Sequence, residues 1–318
     1  MADVVAMGEV LVDLSACGTN EDGFPVLSAH PGGAPAIFLA AAAADGRGAA
    51  MIGKVGDDAF GRLLIREMTR RGIDVTGVIR DPAVFTTLAF VTVGSDGARE
   101  FSFARKPGAD TCLRPEEVNV ELIRNARAFH FGSLSLTDEP AASAVKRAVA
   151  EAKEAGVMVS VDPNYRPALW PDERKAREAM EWALRQADVV KISDDELRFL
   201  WDAEPEKGAA RLLEECGVSL VFVTLGGEGC YAANRHAAVR IPVPTGLRAV
   251  DTTGAGDIFC GTAASRLLKT GKRPGAMGRD ELGSVVRYAN AAAALSVARP
   301  GGMGSIPSRE DIRSILDA

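Results

Sequence analysis

The chain has 318 residues, of which 47% are hydrophobic and 25% charged, a balance that predicts a soluble globular protein with a sizeable core. The formal net charge is −6, which does not indicate the basic surface that nucleic-acid binding needs, so we expect no nucleic-acid partner. Five scattered cysteines form no CxxC pair, and the longest apolar run, Ala36 to Ala44, is too short to span a bilayer, so we expect a cytoplasmic protein without a membrane partner.

The N-terminal segment has no basic stretch typical of a signal peptide, and Val4 to Asp13 is predicted as the first β-strand. Asp13 ends that strand, at the position where α/β folds place groups that bind ligands. Its carboxylate could accept hydrogen bonds from two sugar hydroxyls. A role in a turn or a helix cap is the alternative.

Two segments interrupt the alternation of strands and helices. Leu14 to Pro31 is irregular, and Thr86 to Val93 with Arg99 to Ala104 forms a predicted antiparallel hairpin around a turn at residues 94–97. We interpret both as one small β-rich lid, formed by about residues 14–33 and 85–106. No linker composition marks a boundary, so residues 1–318 are predicted to form a single domain.

Glycine-rich turns precede two further predicted helices. Gly32 and Gly33 come just before a helix predicted over Ala36 to Ala44, and they permit close approach of a ligand to the backbone, although a tight turn explains them equally well. The segment from Gly53 to Gly61 is predicted to form a turn followed by the start of a helix.

The second half of the chain alternates β-branched runs with amphipathic runs. This alternation predicts a mostly parallel sheet with helices on both faces, which is an α/β fold. The predicted strands are Ala128–Leu134, Val157–Asp162, Val189–Ile192 and Leu220–Leu225, and the predicted helices are Ala141–Ala155, Asp172–Gln186 and Asp195–Cys216.

Polar or glycine-rich groups follow three of these strands. Asn164 and Arg166 could reach phosphate oxygens, or could belong to an ordinary turn opened by Asp-Pro. The acidic run that ends at Glu196 could hold Mg²⁺ through water, or could cap a helix. The glycines of residues 224–229 leave room for a flat nucleotide, and the small residues of 289–294 offer a helix face to an adenine.

The sequence DTTGAGD, from Asp251 to Asp257, contains the strongest signal in the chain. It is a glycine-rich turn that leads into an apolar helical run, Ile258 to Leu268, so its free backbone amides and the helix dipole predict an anion site. A carboxylate at such a site repels the anion unless it accepts a proton from an attacking hydroxyl, which is the pattern of a phosphotransferase. Ordinary capping by an acidic residue is the alternative.

Other nucleotide-binding patterns are absent from the sequence. There is no GxxxxGK[ST] motif, since Arg273 follows Gly271-Lys272, and no GxGxxG follows a strand, since Phe259 occupies the required last position. P-loop chemistry and nicotinamide-dependent oxidoreduction are therefore both excluded.

The order of these motifs resembles the PfkB carbohydrate kinase family of the ribokinase-like superfamily, and within it the fructokinase-like branch. The resemblance covers nearly the whole chain through PGGAP, GKVGDDAFG, TTLAFV, FARKPGAD, HFGSLSL, DPNYR, KISDDE, TLGGEGC, DTTGAGD and ANAAAAL. It implies a three-layer α/β/α sandwich with a mostly parallel central sheet and a small β-rich lid. It also implies that ATP and Mg²⁺ take part, with K⁺ beside the anion site, and that two copies pair through their lids.

The resemblance further implies a role for individual residues. Asp257 would be the catalytic base, with the amides of Gly254, Ala255 and Gly256 as the anion hole. The other implied contacts, by ligand, are these: Asp13, Gly32, Gly33 and Arg105 for the sugar; Asn164, Lys191, Thr224, Gly226, Gly229 and Asn290 for ATP; Glu196 for Mg²⁺ through water; Asp251 and Thr253 for the monovalent cation.

One departure from the family pattern affects the expected substrate. Ile37 stands where the family usually has an asparagine that helps to hold the sugar, and a buried hydroxyl facing it would lose a partner, at about 1–3 kcal/mol. We predict an ATP-dependent kinase acting on a primary hydroxyl, with D-fructose as the leading substrate. The alternatives are 2-keto-3-deoxygluconate, a pentose or a riboside, or a non-catalytic sensor or scaffold, although the intact GAGD sequence argues against the last.

Overall fold

The computed structural model of the protein describes residues 2–93 and 99–317. Its thirteen strands in that part of the chain are β1 Val4–Met7, β2 Leu11–Thr19, β3 Pro25–Gly32, β4 Ala49–Gly56, β5 Ile73–Asp81, β6 Leu88–Val93, β7 Arg99–Ala104, β8 Ala128–Gly132, β9 Met158–Asp162, β10 Val189–Ser193, β11 Leu220–Thr224, β12 Cys230–Ala233 and β13 Ala238–Ile241. The turn predicted at residues 94–97 lies outside the described residues.

Ten α-helices lie in the same described residues. They are α1 Ala34–Ala44, α2 Ala59–Arg70, α3 Val120–Arg124, α4 Ala141–Glu154, α5 Glu173–Leu184, α6 Asp194–Trp201, α7 Pro205–Glu215, α8 Ala255–Thr270, α9 Arg279–Ser296 and α10 Arg309–Leu316. Within this part of the chain, no helix combines the length and apolar character that crossing a membrane requires.

The central sheet has nine strands in the order β13-β12-β11-β10-β9-β8-β1-β4-β5. All neighbouring strands from β11 to β5 are parallel to each other. The pairings of β11 with β12 and of β12 with β13, at one edge of the sheet, are antiparallel. Because the strands from β11 to β5 share one direction, their carboxyl ends meet at one edge of the sheet. Polar residues that follow those strands are gathered there.

Alternate strand residues pack on opposite faces of the central sheet. In β1, Val5 and Met7 contact the cluster that contains α4 and α5, whereas Val4 and Ala6 contact the cluster that contains α1 and α8. The period of two therefore produces a hydrophobic core on each face, each covered by helices. This confirms the predicted α/β sandwich with a mostly parallel central sheet.

A second, four-stranded sheet has the order β3-β2-β6-β7. We call it the small sheet. It includes the predicted hairpin, since β6 and β7 are antiparallel from Leu88–Ala104 to Val93–Arg99. The segment Leu14 to Pro31 is β-rich, as predicted, but it is not irregular: β2 and β3 pair across it, from Leu11–Gly32 to Thr19–Pro25.

Two predicted elements are each divided in the structure. The strand predicted over Val4 to Asp13 is two strands in different sheets, because the chain turns at Gly8, where a Cβ atom would lie 2.8 Å from Pro35 Cγ. The helix predicted over Asp195 to Cys216 is also two helices. α6 ends at Asp202, whose φ of 49° is left-handed, and α7 starts at Pro205.

The predicted turn at Gly53 also differs from the structure. Residues 53–56 continue β4, and the turn occupies only Asp57 and Asp58 before α2. Asp58 caps this helix, accepting a hydrogen bond from the Gly61 amide at 2.8 Å. The helix predicted over Ala36 to Ala44 is present and begins two residues earlier.

Candidate active site

A cleft of about 430 Å³ opens between the small sheet and the carboxyl edge of the central sheet. The small sheet contributes Leu11, Asp13 and Phe103 to it, while the strand ends and α8 contribute the opposite wall. Nine predicted site residues line the cleft: Asp13, Gly33, Asn164, Lys191, Glu196, Thr253, Gly254, Gly256 and Asp257.

The turn before α8 has the geometry that an anion site requires. Gly254 has a left-handed φ of 79°, a conformation that favours glycine, and it caps a helix without a side-chain hydrogen bond. A Cβ atom at Gly256 would lie 3.0 Å from Lys191 Nζ, so this second glycine lets an ammonium group approach the turn. The backbone conformation therefore favours glycine at position 254, and the nearby Lys191 ammonium favours glycine at position 256.

The amide of Ala255 does not have the role that the resemblance implies. It donates to the Thr252 carbonyl at 3.2 Å within the turn, and Ala255 is not part of the cleft wall. Among the described residues, the amides of Gly254, Gly256 and Asp257 have no such backbone acceptor, as is normal for the first turn of a helix. These three amides are the better candidates for an anion hole.

Asp257 lies in the first turn of α8, at the wall of the cleft. Its pKa is raised to about 7, mainly by burial and also by the nearby carboxylate of Asp162, against the lowering effects of Lys191 and Arg166. A carboxyl group with a pKa near neutrality is suited to take a proton from a hydroxyl group.

Asp13 lines the cleft from the small sheet and is also buried. Burial raises its pKa to about 6, Arg166 lowers it, and Asp251 raises it. A Cβ atom at Gly32, on the neighbouring strand, would overlap Asp13 Oδ2, so Gly32 makes room for this carboxylate rather than contacting the cleft itself.

The polar residues at the carboxyl ends of β9 and β10 form two hydrogen-bonded groups. Lys191 Nζ bonds Asp162 Oδ1 and Oδ2 at 3.2 and 3.0 Å, and the Asn164 amide donates to Asp162 Oδ1 at 3.1 Å. Glu196 accepts from the Tyr165 amide at 2.7 Å and from the Ser193 amide at 2.8 Å. The capping box offered as an alternative for Ser193 and Glu196 is therefore present, and Glu196 lines the cleft as well.

A metal ion would have few protein ligands here. Across residues 2–93 and 99–317, no three or more His, Cys, Asp or Glu side chains are grouped to hold one. Glu196, one of the carboxylates that line the cleft, fits Mg²⁺, which keeps several waters and binds through few protein groups. Asp251 accepts from the amides of Thr253 and Gly301, both at 2.8 Å, and so fixes the entry to the Gly254 turn.

Four predicted ATP contacts lie outside the cleft. Thr224, Gly226 and Gly229 follow β11, and a Cβ atom at Gly229 would overlap the Ile241 carbonyl. Asn290 of α9 donates to the same Ile241 carbonyl at 2.8 Å and to that of Pro242 at 3.2 Å. The structure thus brings Gly229 and Asn290 together at the end of β13.

Arg105 has partners different from those implied by the resemblance. It is 7% exposed and outside the cleft wall; Nε donates to Asp110 at 2.8 Å, Nη1 to Thr137 at 2.8 Å and Nη2 to the Leu134 carbonyl at 2.9 Å. All three guanidinium nitrogens are therefore bonded within the protein. A sugar contact would require Arg105 to leave these groups.

Sequence reasoning missed two acidic residues near the cleft. Glu9 lines it at 2% exposure, with Oε1 accepting from the Ala34 amide at 3.1 Å and Oε2 buried without a hydrogen-bond partner. Asp162 holds Lys191. The sequence does contain an indication of both residues, because each acidic residue adjoins an apolar run that is predicted as a buried strand. A buried charge is costly unless it has a partner, so such a residue is a candidate for a functional role.

Ile37 also lines the cleft, and it is 3% exposed. A Cβ atom at Gly254 would lie 3.2 Å from Ile37 Cδ1 and 3.4 Å from Cγ2. The side chain therefore packs directly beneath the glycine turn, and its position supports the backbone of the anion site.

Comparison with known proteins identifies this fold as that of a carbohydrate kinase. The pattern of the pfkB family carbohydrate kinases matches residues 1–309, and the chain belongs to this family. Fructokinase-1 of Zea mays is 41% identical over 322 residues, which cover 99% of this chain and 97% of the maize protein.

Solved structures agree with this assignment. Fructokinase with bound ATP from Xylella fastidiosa has a TM-score of 0.91 and 29% identity, covering 100% of this chain and 99% of that one. A double mutant of fructokinase from Vibrio cholerae O395, in a fructose, ADP and potassium ion bound form, has a TM-score of 0.87 and 29% identity, covering 99% and 98%.

Proposed function

We propose that the protein transfers the γ-phosphoryl group of ATP to the primary hydroxyl of D-fructose at carbon 6, giving fructose 6-phosphate. The observation that carries this proposal is the placement of Asp257 beside the open first turn of α8, with Asp13 on the opposite side of the same cleft. Fructokinase relatives that match nearly the full chain support fructose as the acceptor.

The proposed chemistry divides between the two walls of the cleft. Asp13 accepts hydrogen bonds from sugar hydroxyls and orients the ring, while Asp257 takes the proton of the attacking hydroxyl. The amides of Gly254 and Gly256, together with the Lys191 ammonium, stabilise the negative charge on the transferring phosphoryl group. ATP, bound with Mg²⁺, supplies that group and a leaving group whose charge the metal offsets.

We further propose that the small sheet acts as a lid. Phe103 and Leu11 reach the cleft from this sheet, so its position controls access of water to the sugar. Its outer surface exposes Phe24 at 66%, Val26 at 42% and Leu27 at 42%, an apolar patch that a second copy of the chain would cover in a dimer. Sedimentation velocity on the wild-type protein and Phe24→Ser tests that association.

Two finer proposals complete this function. A potassium ion beside Asp251 and Thr253 fits the neighbour from Vibrio cholerae, which was solved with potassium bound. A cytoplasmic location fits the use of ATP and the five unpaired cysteines.

The test is ADP release from MgATP with purified protein and a panel of acceptors: fructose, ribose, 2-keto-3-deoxygluconate, glucose and adenosine. We expect fructose to give the highest kcat/KM, and ³¹P and ¹³C NMR of the product to show phosphate on carbon 6. Turnover of another acceptor alone would replace fructose as the substrate. ATP binding without turnover of any acceptor would favour a non-catalytic sensor.

A further inference from the structure

A buried ion pair lies directly behind the proposed phosphoryl site. Asp162 ends β9 and Lys191 belongs to the neighbouring parallel strand β10, and the two side chains are 3% and 8% exposed. Both carboxylate oxygens of Asp162 contact Lys191 Nζ, at 3.2 and 3.0 Å. Asp162 itself does not line the cleft, whereas Lys191 does.

The ammonium group lies under the glycine turn that precedes Asp257. Lys191 Nζ is 3.0 Å from the point that a Cβ atom of Gly256 would occupy, so a side chain there would displace it. Burial lowers the pKa of Lys191, but the carboxylates of Asp162, Glu196 and Asp257 together outweigh this effect and hold the pKa above its usual value, so the lysine keeps its positive charge throughout the neutral range. The cleft thus has a permanent cation beside its anion-binding turn.

A buried ammonium needs a carboxylate partner, and two carboxylates lie within electrostatic reach on the cleft side. If Lys191 paired with Asp257, the base would lose both proton affinity and free oxygen atoms. The hydrogen bonds from Lys191 to Asp162 give the ammonium a carboxylate partner other than the base.

We propose that Asp162 is a positioning residue, which holds the Lys191 ammonium beneath the Gly254–Asp257 turn for the transferring phosphoryl group and keeps it from pairing with the catalytic base. This inference rests on the proposed function, since it assumes that Asp257 acts as the base. It assigns a role to the aspartate of the DPN segment, which neither contacts the cleft nor belongs to the anion turn.

Four charged neighbours determine the titration of Asp257. The carboxylates of Asp162 and Asp13 raise its pKa, and the cations Lys191 and Arg166 lower it. Asp162→Asn removes one negative charge and releases Lys191 toward Asp257, and both changes lower the pKa of the base. Because the loss of the Asp162 charge alone would lower this pKa, the release of Lys191 is tested separately by combining Asp162→Asn with Lys191→Met.

The experiment measures kcat/KM from pH 5 to 9 for wild type, Asp162→Asn and Asp162→Glu. We expect Asp162→Asn to shift the acid limb to lower pH and to reduce the high-pH plateau by about tenfold or more, since a preorganised charge is misplaced. Asp162→Glu keeps the charge, and its acid limb should stay near that of the wild type. An unshifted limb and an unchanged plateau in Asp162→Asn would overturn the proposal.

A double-mutant cycle with Lys191→Met separates positioning from an independent effect. If Asp162 acts through Lys191, Asp162→Asn reduces the plateau much less in the Lys191→Met background than in the wild type. Equal, additive losses in the two backgrounds contradict the proposal. Asp188→Asn is the matched control, because Asp188 Oδ2 accepts from the Val159 amide at 2.8 Å, away from the cleft, and its profile should match the wild type.

A measurement without turnover keeps this inference separate from the proposed function. In ligand-free protein labelled with ¹³C at the aspartate carboxyl carbons, the Asp257 signal, assigned with Asp257→Asn, should titrate at lower pH in Asp162→Asn. If the wild-type protein phosphorylates no acceptor but this shift is present, the proposed function fails and the electrostatic arrangement stands. If the wild-type protein phosphorylates an acceptor but the shift is absent, the proposed function stands and the role of Asp162 fails.

Discussion

Replacement of Asp257 by asparagine tests the assignment of the base. The amide side chain matches the carboxylate in size and still lies in the first turn of α8, but it cannot take a proton from the sugar hydroxyl. We expect kcat to fall by about 10²–10⁴-fold, which corresponds to roughly 3–5.5 kcal/mol of barrier. ATP affinity should change little, because the proposed phosphoryl contacts are backbone amides and Lys191.

The pH dependence gives a second, independent readout of the same residue. Burial raises the pKa of Asp257 to about 7, so the ionised, active form is lost as the pH falls below neutrality. At pH 6 only about one-tenth of the molecules would carry the base as carboxylate, and kcat/KM should fall about tenfold from its plateau. Asp13, with a pKa of about 6, should steepen the decline below pH 6, since we propose that its carboxylate accepts hydrogen bonds from the sugar hydroxyls.

The assay couples ADP release to NADH oxidation at saturating MgATP, with fructose varied from pH 5 to 9. Asp280→Asn is the matched control, because Asp280 is also an acidic residue in the first turn of a helix, α9, but lies outside the cleft. Its kinetics should match the wild type. If Asp257→Asn retained most of its kcat, or lost no more than Asp280→Asn, Asp257 would be a capping residue and another group would be the base.

Three further perturbations follow from the cleft and its surroundings. Ile37→Val should cost about 0.5–1.5 kcal/mol of unfolding free energy and lower kcat more than it raises the KM for fructose, since the side chain supports Gly254; a change confined to KM would instead indicate a direct sugar contact. Asn290→Ala leaves two backbone carbonyls at the end of β13 without a donor, so the KM for ATP should rise while that for fructose stays constant, and parallel increases in both would refute this. Replacing K⁺ by tetramethylammonium should lower activity in the wild type but not in Asp251→Asn. An equal loss of activity in the two proteins would show that the cation does not bind at Asp251.

The sequence predicts the sheet well because its signals are local. Val189 and its neighbours form a short β-branched run between amphipathic segments, and such runs are buried strands in a parallel sheet. The divided elements show where local signals fail. Val4 to Asp13 has a largely apolar pattern that does not show the turn at Gly8, where a side chain would overlap Pro35, a residue distant in the sequence.

The small sheet was harder to predict for a different reason. β2 and β3 carry exposed side chains over much of their length, so their residues lack the clear alternation that marks a half-buried strand. The strands are stabilised by backbone pairing, and β2 also pairs with β6, which comes about seventy residues later in the chain. Patterns read along the sequence do not contain that pairing.

Within the site, sequence reasoning identified residues by type but could not give their partners. The family resemblance implied a contact between Arg105 and the sugar. The structure bonds its guanidinium to Asp110, Thr137 and the Leu134 carbonyl. Asp162 escaped notice because its importance depends on Lys191 on the next strand, a contact that only the sheet order creates.

The arrangement of charges explains why both glycines of the GAG turn matter to the chemistry. A base with a raised pKa needs a low-dielectric site, but a site that holds phosphate needs a cation, and a cation beside the base would lower that pKa. Because Gly256 has no side chain, the Lys191 ammonium can lie close to the turn, and Asp162 holds it there. The cation can then act on the phosphoryl group through the turn while Asp257 remains basic enough to accept a proton near neutral pH.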